Sequence, residues 1–218
     1  MTDLLLYGGP HSSFVRTTRM ALEERGVPYT LMPCPPGYVD GDARHPFGKI
    51  PFMRYGDLVL AESIAIIRFV EREFPAGKYG PSLWPTDSKR AALCDQWVSA
   101  ISDSIVQRIA FGICFPRLAA PVLGFPVDEA AVAKAVARLP ETLAELERPL
   151  AASPYLTGNT MTLADLYLLP TFYYLGLTSE GQAVLPGFRK LAAWEARMAE
   201  RPSVRTTVPP PFEALRAA

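Results

Sequence analysis

The residues of this 218-residue chain whose types and spacing could do chemistry lie in two short stretches. The first is Pro10-His11-Ser12-Ser13, set between a short apolar run and a long apolar-periodic one. Ser12 stands where a helix begins, and the open N–H groups and positive dipole end of a helix start favour an anion. The second stretch runs from Gly48-Lys49-Ile50-Pro51 to Glu62-Ser63. Pro51 at the mouth of a strand cannot donate to a ladder, and an Ile-Pro bond can be cis. A turn there leaves the N–H and C=O of Ile50 facing outward, able to pair with an extended peptide as an added strand would. Ser63 offers a hydroxyl and helix-start N–H groups suited to a carboxylate, and Glu62 suits an ammonium group. Together these groups can grip an amino-acid head group and the peptide bond next to it. Taken singly, each has a plainer role: Ser12, Ser13 and Ser63 as helix caps, Pro51 as a strand starter, Lys49 as a solvated cation.

The elements that must hold these residues follow from periodicity. Leu4–Tyr7 is a continuous apolar run, as in a buried strand, and Gly8-Gly9-Pro10 ends it. The stretch after Ser13 reads as a helix with Val15, Met20 and Leu22 inward and Gly26 as its stop. Residues 29–32 make a second strand, and 33–44 are rich in Pro and Gly, with room for a short irregular helix. Residues 51–55, a Gly56-Asp57 turn and Leu58–Ala61 form a hairpin; Ser63 opens a helix with Ile66, Phe69, Val70 and Phe74 on one face. A βαβ unit followed by ββα is the thioredoxin-like order.

The order G-K-I-P, hairpin, E-S at a helix start resembles the glutathione-binding half of the glutathione transferase family. The stretch P-H-S-S-F-V-R-T-T-R-M-A-L-E-E-R-G-V-P-Y is similar to that family's serine-type pattern. The resemblance implies that Ser12 activates the glutathione thiol, that Ile50 before a cis Pro51 pairs with the cysteinyl backbone, that Glu62 and Ser63 hold the γ-glutamyl end, and that Lys49 lies near the peptide. It also implies glutathione as co-substrate, no metal, and a homodimer. The chemistry implied is attack of glutathione thiolate on a small, mainly apolar electrophile. Two other readings stand beside it. One is a glutathione-dependent isomerase of the maleylacetoacetate type, whose Ser-Ser-Cys run is half present here as Ser12-Ser13-Phe14; the other is a non-catalytic glutathione-binding module. No cysteine precedes Cys34, so disulfide chemistry at the first helix lacks its nucleophile. His45 stands where relatives more often carry Asn, and it reads as a turn residue without chemistry.

Residues 77–86 have the Pro and Gly content of a linker, which divides the chain into a domain at 1–76 and an all-helical domain at 87–218. The expected fold is therefore α/β plus all-α: a thioredoxin-like domain, then a helical bundle. In the second part a helix is expected over 86–113. A helical stretch over 127–150 should break near Leu139, because Pro140 lies inside it. Thr162-Leu163-Ala164-Asp165 is a capping-box start, and residues 186–204 follow helical spacing. The walls of an electrophile site would come from Trp97, Ile101, Arg108, Phe111, Phe115 and Arg117, and the tail from Thr206 could fold over that cleft.

Composition narrows the function classes. Lys plus Arg and Asp plus Glu are 22 each, with no basic run, which argues against a nucleic-acid partner. Three scattered cysteines suggest neither a disulfide framework nor a zinc site, and they fit a reducing compartment. The N-terminal run is too short for a signal peptide, and charges or prolines interrupt each apolar stretch. The expected location is cytoplasmic, without a membrane segment.

Overall fold

The computed structural model describes residues 3–217, which gather into two compact units. The first takes in the chain up to Leu83 together with Arg201–Pro210; the second takes in Trp84–Glu200 and the stretch from Pro211 onward. The first unit is therefore discontinuous in sequence, and residues 201–210, placed by sequence in the helical part, belong to it.

In the first unit, β1 (Leu4–Tyr7), α1 (Ser13–Arg25) and β2 (Thr30–Met32) form the βαβ element, with β1 and β2 parallel. Between β2 and the next long strand lies a small hairpin, β3 (Val39–Asp40) and β4 (Ala43–Arg44), where an irregular helix was expected. The loop of this hairpin is Gly41-Asp42, and Gly41 takes the positive φ (63°) that the first position of such a turn requires. β5 (Phe52–Tyr55) and β6 (Leu58–Ala61) are antiparallel, α2 (Ser63–Glu73) follows, and the sheet order is β2-β1-β5-β6. One face of the sheet packs Leu4, Leu6 and Met53 against Leu22, Ile66 and Val70 of the two helices. Full burial of each such side chain contributes about 1.5–3 kcal/mol. Tyr7, Phe52, Cys34 and Ala43 form a smaller cluster. A last short helix, α10 (Pro202–Thr206), packs against α1. The Arg201 guanidinium makes a two-point contact with Glu24, and the Ser203 hydroxyl joins the same carboxylate. At the end of α1, Arg25 is fully buried, donates to the carbonyls of Phe74 and Gly80, and lies 3.3 Å from Glu71.

The second unit is helical. α3 (Ser88–Ala100) runs without a break into a wider π-helical segment, Ile101–Ala119, and then α4 (Ala120–Leu123). This continuous helix exceeds the expected 86–113. Contrary to the reading of interrupted apolar stretches, its 36 residues are long and apolar enough to cross a membrane by length and composition alone. Such a test is also passed by bundle-core helices, and this one packs against α5 (Glu129–Ala137) and α7 (Leu163–Gly176). α5 ends at Ala137 and α6 (Leu139–Leu150) starts at Leu139, so the break falls beside Pro140, where its missing N–H costs least. α7 is buried along nearly its whole length and begins with a two-way capping box between Thr162 and Asp165. Asp165 also accepts from Leu156 N–H and from the Trp194 indole. α8 (Ser179–Val184), a 3₁₀ turn Leu185–Gly187 and α9 (Arg189–Ala199) complete the unit, so the single helical stretch expected over 186–204 is instead α9 and a separate α10. A 3₁₀ segment Phe212–Ala217 ends the described chain, with the Phe212 ring 5.4 Å from that of Tyr174.

Candidate functional site

Three loops of the first unit leave the sheet at one end. Tyr7 pairs with Phe52, and Phe52 pairs with Ala61. The exit of β1 toward Ser12, the entry to β5 through Ile50-Pro51, and the exit of β6 into Glu62-Ser63 are thereby side by side. Gly8 tightens this junction. A Cβ there would collide with Val15 Cγ2 and lie 3.3 Å from Ile50 Cβ, so only a glycine lets the α1 loop lie against Ile50.

Ser12 is the N-cap of α1. Its backbone is extended (φ −72°, ψ 126°) and its Oγ accepts from Val15 N–H at 3.3 Å. That bond uses an oxygen lone pair and leaves the hydroxyl proton to be donated elsewhere. Ser12 is half-buried, and the first turn of α1 carries no acidic residue to offset the positive helix end. Tyr7, fully buried at the end of β1, is not available for the same work. Its hydroxyl donates to Asp40 Oδ2 at 2.6 Å, and burial followed by the Asp40 carboxylate pushes its pKa up to about 12. Arg54 binds the Asp40 carbonyl and the Asp42 carboxylate, so Tyr7 and Arg54 together pin the β3–β4 hairpin to the sheet. Sequence reading missed this tie; the Gly41-Asp42 pair was its trace.

The Ile50-Pro51 bond is cis, and strand pairing begins only at Phe52, which leaves the Ile50 backbone outside the ladder. Pro51 is buried and Lys49 exposed. Glu62, not Ser63, is the N-cap of α2, and it makes no side-chain cap bond. Its φ of 71° makes it the one non-glycine residue with positive φ among the described residues, a conformation that costs on the order of 1–3 kcal/mol. Ser63 is the first residue of the helix and is buried.

His45 is drawn into this constellation although sequence reading gave it no chemistry. The imidazole is buried, its Nδ1 accepts from Phe47 N–H at 3.1 Å, and its Nε2 lies 3.4 Å from Glu62 Oε1. Burial outweighs the attraction of Glu62 and, with a smaller repulsion from Lys49, holds its pKa below the ordinary imidazole value.

The electrophile-wall candidates all lie in the second unit. Trp97, on α3, is half-buried; Ile101 is fully buried and serves the helical core instead. Arg108 is exposed, and Phe111 and Phe115 are exposed neighbours with ring centroids 6.5 Å apart. Arg117 is held by Glu129 through two bonds of 2.8 Å and by Glu180 at 2.6 Å, so its donors are engaged within the unit. The three cysteines are unpaired and buried, and burial pushes each thiol up, Cys114 to about 12. Among the described residues no group of three or more His, Cys, Asp or Glu is placed to hold a metal ion.

The geometry has counterparts in known proteins. Residues 6–81 match the family described as glutathione S-transferase, N-terminal domain, and residues 129–197 match glutathione S-transferase, C-terminal domain. Glutathione S-transferase 4 of Zea mays is 34% identical over 206 residues, which covers 91% of this chain and 88% of the relative. A probable glutathione S-transferase of Oryza sativa subsp. japonica is 32% identical, covering 93% and 94%. Among solved structures, glutathione transferase F7 of Populus trichocarpa superposes with a TM-score of 0.79 at 29% identity, covering 94% of this chain and 97% of that one. A glutathione S-transferase-I bound with lactoylglutathione gives 0.80 at 28% identity, covering 94% and 98%. With both halves matched in order and the thioredoxin-like sheet carrying its serine, cis-proline and Glu-Ser loops at one end, the chain belongs to the glutathione S-transferase family.

Proposed function

We propose that this transferase adds the thiolate of glutathione to small, mainly apolar electrophiles, and that Ser12 is the residue that holds the thiolate. The observation that carries this reading is the Ser12 hydroxyl: it caps α1 through its oxygen, keeps its proton to give, and sits beside the loops of Ile50 and Glu62. The task is energetically modest. A free thiol titrates near ~8.5, and lowering it to ~7 needs about 2 kcal/mol. One hydrogen bond to a charged group contributes about 1.5–3 kcal/mol, and a helix N-terminus adds about 0.3–1 kcal/mol. Serine acts as a donor to the anion and need not be a base.

In this reading glutathione lies along the Ile50 edge with its cysteinyl backbone paired to Ile50. Its γ-glutamyl ammonium meets Glu62, its γ-glutamyl carboxylate meets Ser63 and the start of α2, and Lys49 lies near the peptide. Trp97, Arg108, Phe111 and Phe115 are the side chains we assign to the electrophile; the burial of Ile101 and the ion pairs of Arg117 favour a structural role for those two. Three buried, unpaired cysteines fit a cytoplasmic enzyme, and the 76% exposed Phe47 is the kind of side chain a second copy would cover in a homodimer. The test is a crystal structure with glutathione soaked in, together with turnover of an aryl halide followed by loss of free thiol. Sulfur within hydrogen-bond reach of Ser12 and consumption of thiol are expected. A sulfur directed away from residues 12 and 13 overturns the assignment of Ser12, and an aryl halide left unreacted with an unchanged thiol count overturns conjugation of this electrophile.

A further inference from the structure

His45 touches two things at once, and each nitrogen has a fixed job. Its carbonyl accepts from Gly48 N–H at 3.0 Å, closing the turn His45-Pro46-Phe47-Gly48, and Gly48 has the positive φ (62°) that ends it. Its Nδ1 accepts from Phe47 N–H inside the same turn. An N–H can only donate, so Nδ1 carries no proton and the neutral ring bears its proton on Nε2. That proton faces Glu62 Oε1 at 3.4 Å. The turn leads directly into Lys49-Ile50-Pro51, while Glu62 leads into α2. One buried ring therefore joins the two segments that would hold glutathione. The charged groups that bear on it are Glu62, at the start of α2, and Lys49, on its own loop; the Phe47 ring lies over it with centroids 6.2 Å apart.

We propose that His45 is a positioning residue for Glu62 and that its protonation loosens the grip on the γ-glutamyl head group. A proton can enter only at Nδ1, where it replaces a lone pair with a second donor facing Phe47 N–H. The turn loses one of its two internal bonds and keeps that from Gly48 N–H, at the point where it sets the Ile50 edge. The imidazolium at the same time draws the Glu62 carboxylate toward itself, in competition with the ammonium of the ligand. Both effects weaken binding in the same direction. Because burial holds the ring below the ordinary imidazole value, the site is intact at neutral pH and fails on the acid side. The head group of glutathione keeps its charges over that range, since α-carboxyl and α-amino groups titrate near ~3.5 and ~8.

This rests on the glutathione site proposed above, and the test separates the two. Glutathione affinity is measured by calorimetry from mildly acidic to neutral pH for the wild type, His45→Asn and His45→Ala. The imidazole pKa values of His11 and His45, the two histidines of the chain, are followed by NMR without glutathione in the wild type and in Glu62→Gln. An Asn side chain accepts from the N–H two residues on, so it keeps the turn bond without titrating, while its shorter amide does not take the place of Nε2 opposite Glu62. Wild-type affinity should weaken toward about tenfold per pH unit below the His45 pKa, as one linked proton requires. At neutral pH His45→Ala should bind about tenfold more weakly than wild type and His45→Asn should fall between the two, and neither variant should show the acid-side loss. Glu62→Gln should lower the His45 pKa and leave that of His11 in place. An acid-side loss that persists in His45→Asn, or a His45 pKa indifferent to Glu62→Gln, overturns the proposal. A wild type that binds no glutathione while Glu62→Gln still moves the His45 pKa removes the glutathione site but leaves the His45–Glu62 coupling.

Discussion

Removing the Ser12 hydroxyl should separate a structural role from the chemical one proposed for it, because the two would use different atoms. In Ser12→Ala the Val15 N–H loses its acceptor, and loss of an N-cap typically costs about 1 kcal/mol, or about 2–4 °C in Tm for a chain of this size. The thiolate loses a charge-assisted hydrogen bond of about 1.5–3 kcal/mol, which raises the pKa of the bound thiol by about one to two units. At neutral pH kcat/KM should then fall about tenfold to a hundredfold, with KM for glutathione little changed, since the head-group contacts are elsewhere. The acidic limb of the pH–rate profile should move to higher pH by the same one to two units, and the rate should recover toward wild type in alkaline solution. Ser12→Asp supplies the control. Its carboxylate still caps Val15 N–H, so Tm should hold, yet it repels a thiolate and the rate should fall further than in Ser12→Ala. The assay is aryl-halide conjugation against pH, with thermal melts of the same samples. A Ser12→Ala enzyme that loses stability but keeps the wild-type pH limb would show that the hydroxyl only caps the helix, and Ser13 would be tested next.

Other outcomes follow from the same structure. Glu62→Gly should raise the KM for glutathione tenfold or more while leaving the apo protein as stable as wild type or slightly more so, because glycine relieves a positive φ worth about 1–3 kcal/mol; a lower Tm counts against strain at that residue. Burial pushes the Glu24 carboxyl up, but Arg201 and Ser203 outweigh it and hold its pKa below the usual glutamate value, so its contribution is present at neutral pH and is lost as pH falls through the folded-state pKa. Arg201→Ala should therefore lower Tm at pH 7, and the difference from wild type should shrink in acid; a pH-independent difference would trace the loss to packing alone. Asp165→Ala strips buried acceptors from Leu156, Thr162 and Trp194, at about 1–3 kcal/mol each. Denaturant melts should show a loss of about 3 kcal/mol or more, and a near-neutral result would refute the capping box as a core fixture.

The parts of this fold legible in the sequence are those set by local rules. Leu4–Tyr7 and the helix from Ser13 to Gly26 follow from apolar period and stop residues, and Thr162 with Asp165 announces a helix start that the structure repeats atom for atom. The β3–β4 hairpin was hidden because each strand is only two residues long and its support comes from Tyr7 and Arg54, far away in sequence. Taken alone Ser63 reads as a cap because serine is favoured at that position, whereas a strained Glu62 takes it. His45 looked idle because its value depends on Glu62, seventeen residues later, which no local pattern connects. Phe111, Phe115 and Arg117 share a spacing, but one helix carries exposed rings and an arginine already committed to two carboxylates.

The discontinuity of the first unit has a consequence for biosynthesis. The face of α1 that meets Arg201, Val204 and Thr206 is completed by residues that leave the ribosome long after α1 itself. The segment up to Leu83 therefore emerges early but cannot take its final form until Arg201–Pro210 has followed, and a chaperone has that interval in which to engage it. A chain released short of residue 201 would keep its sheet and lose the clasp on the helix that Ser12 caps.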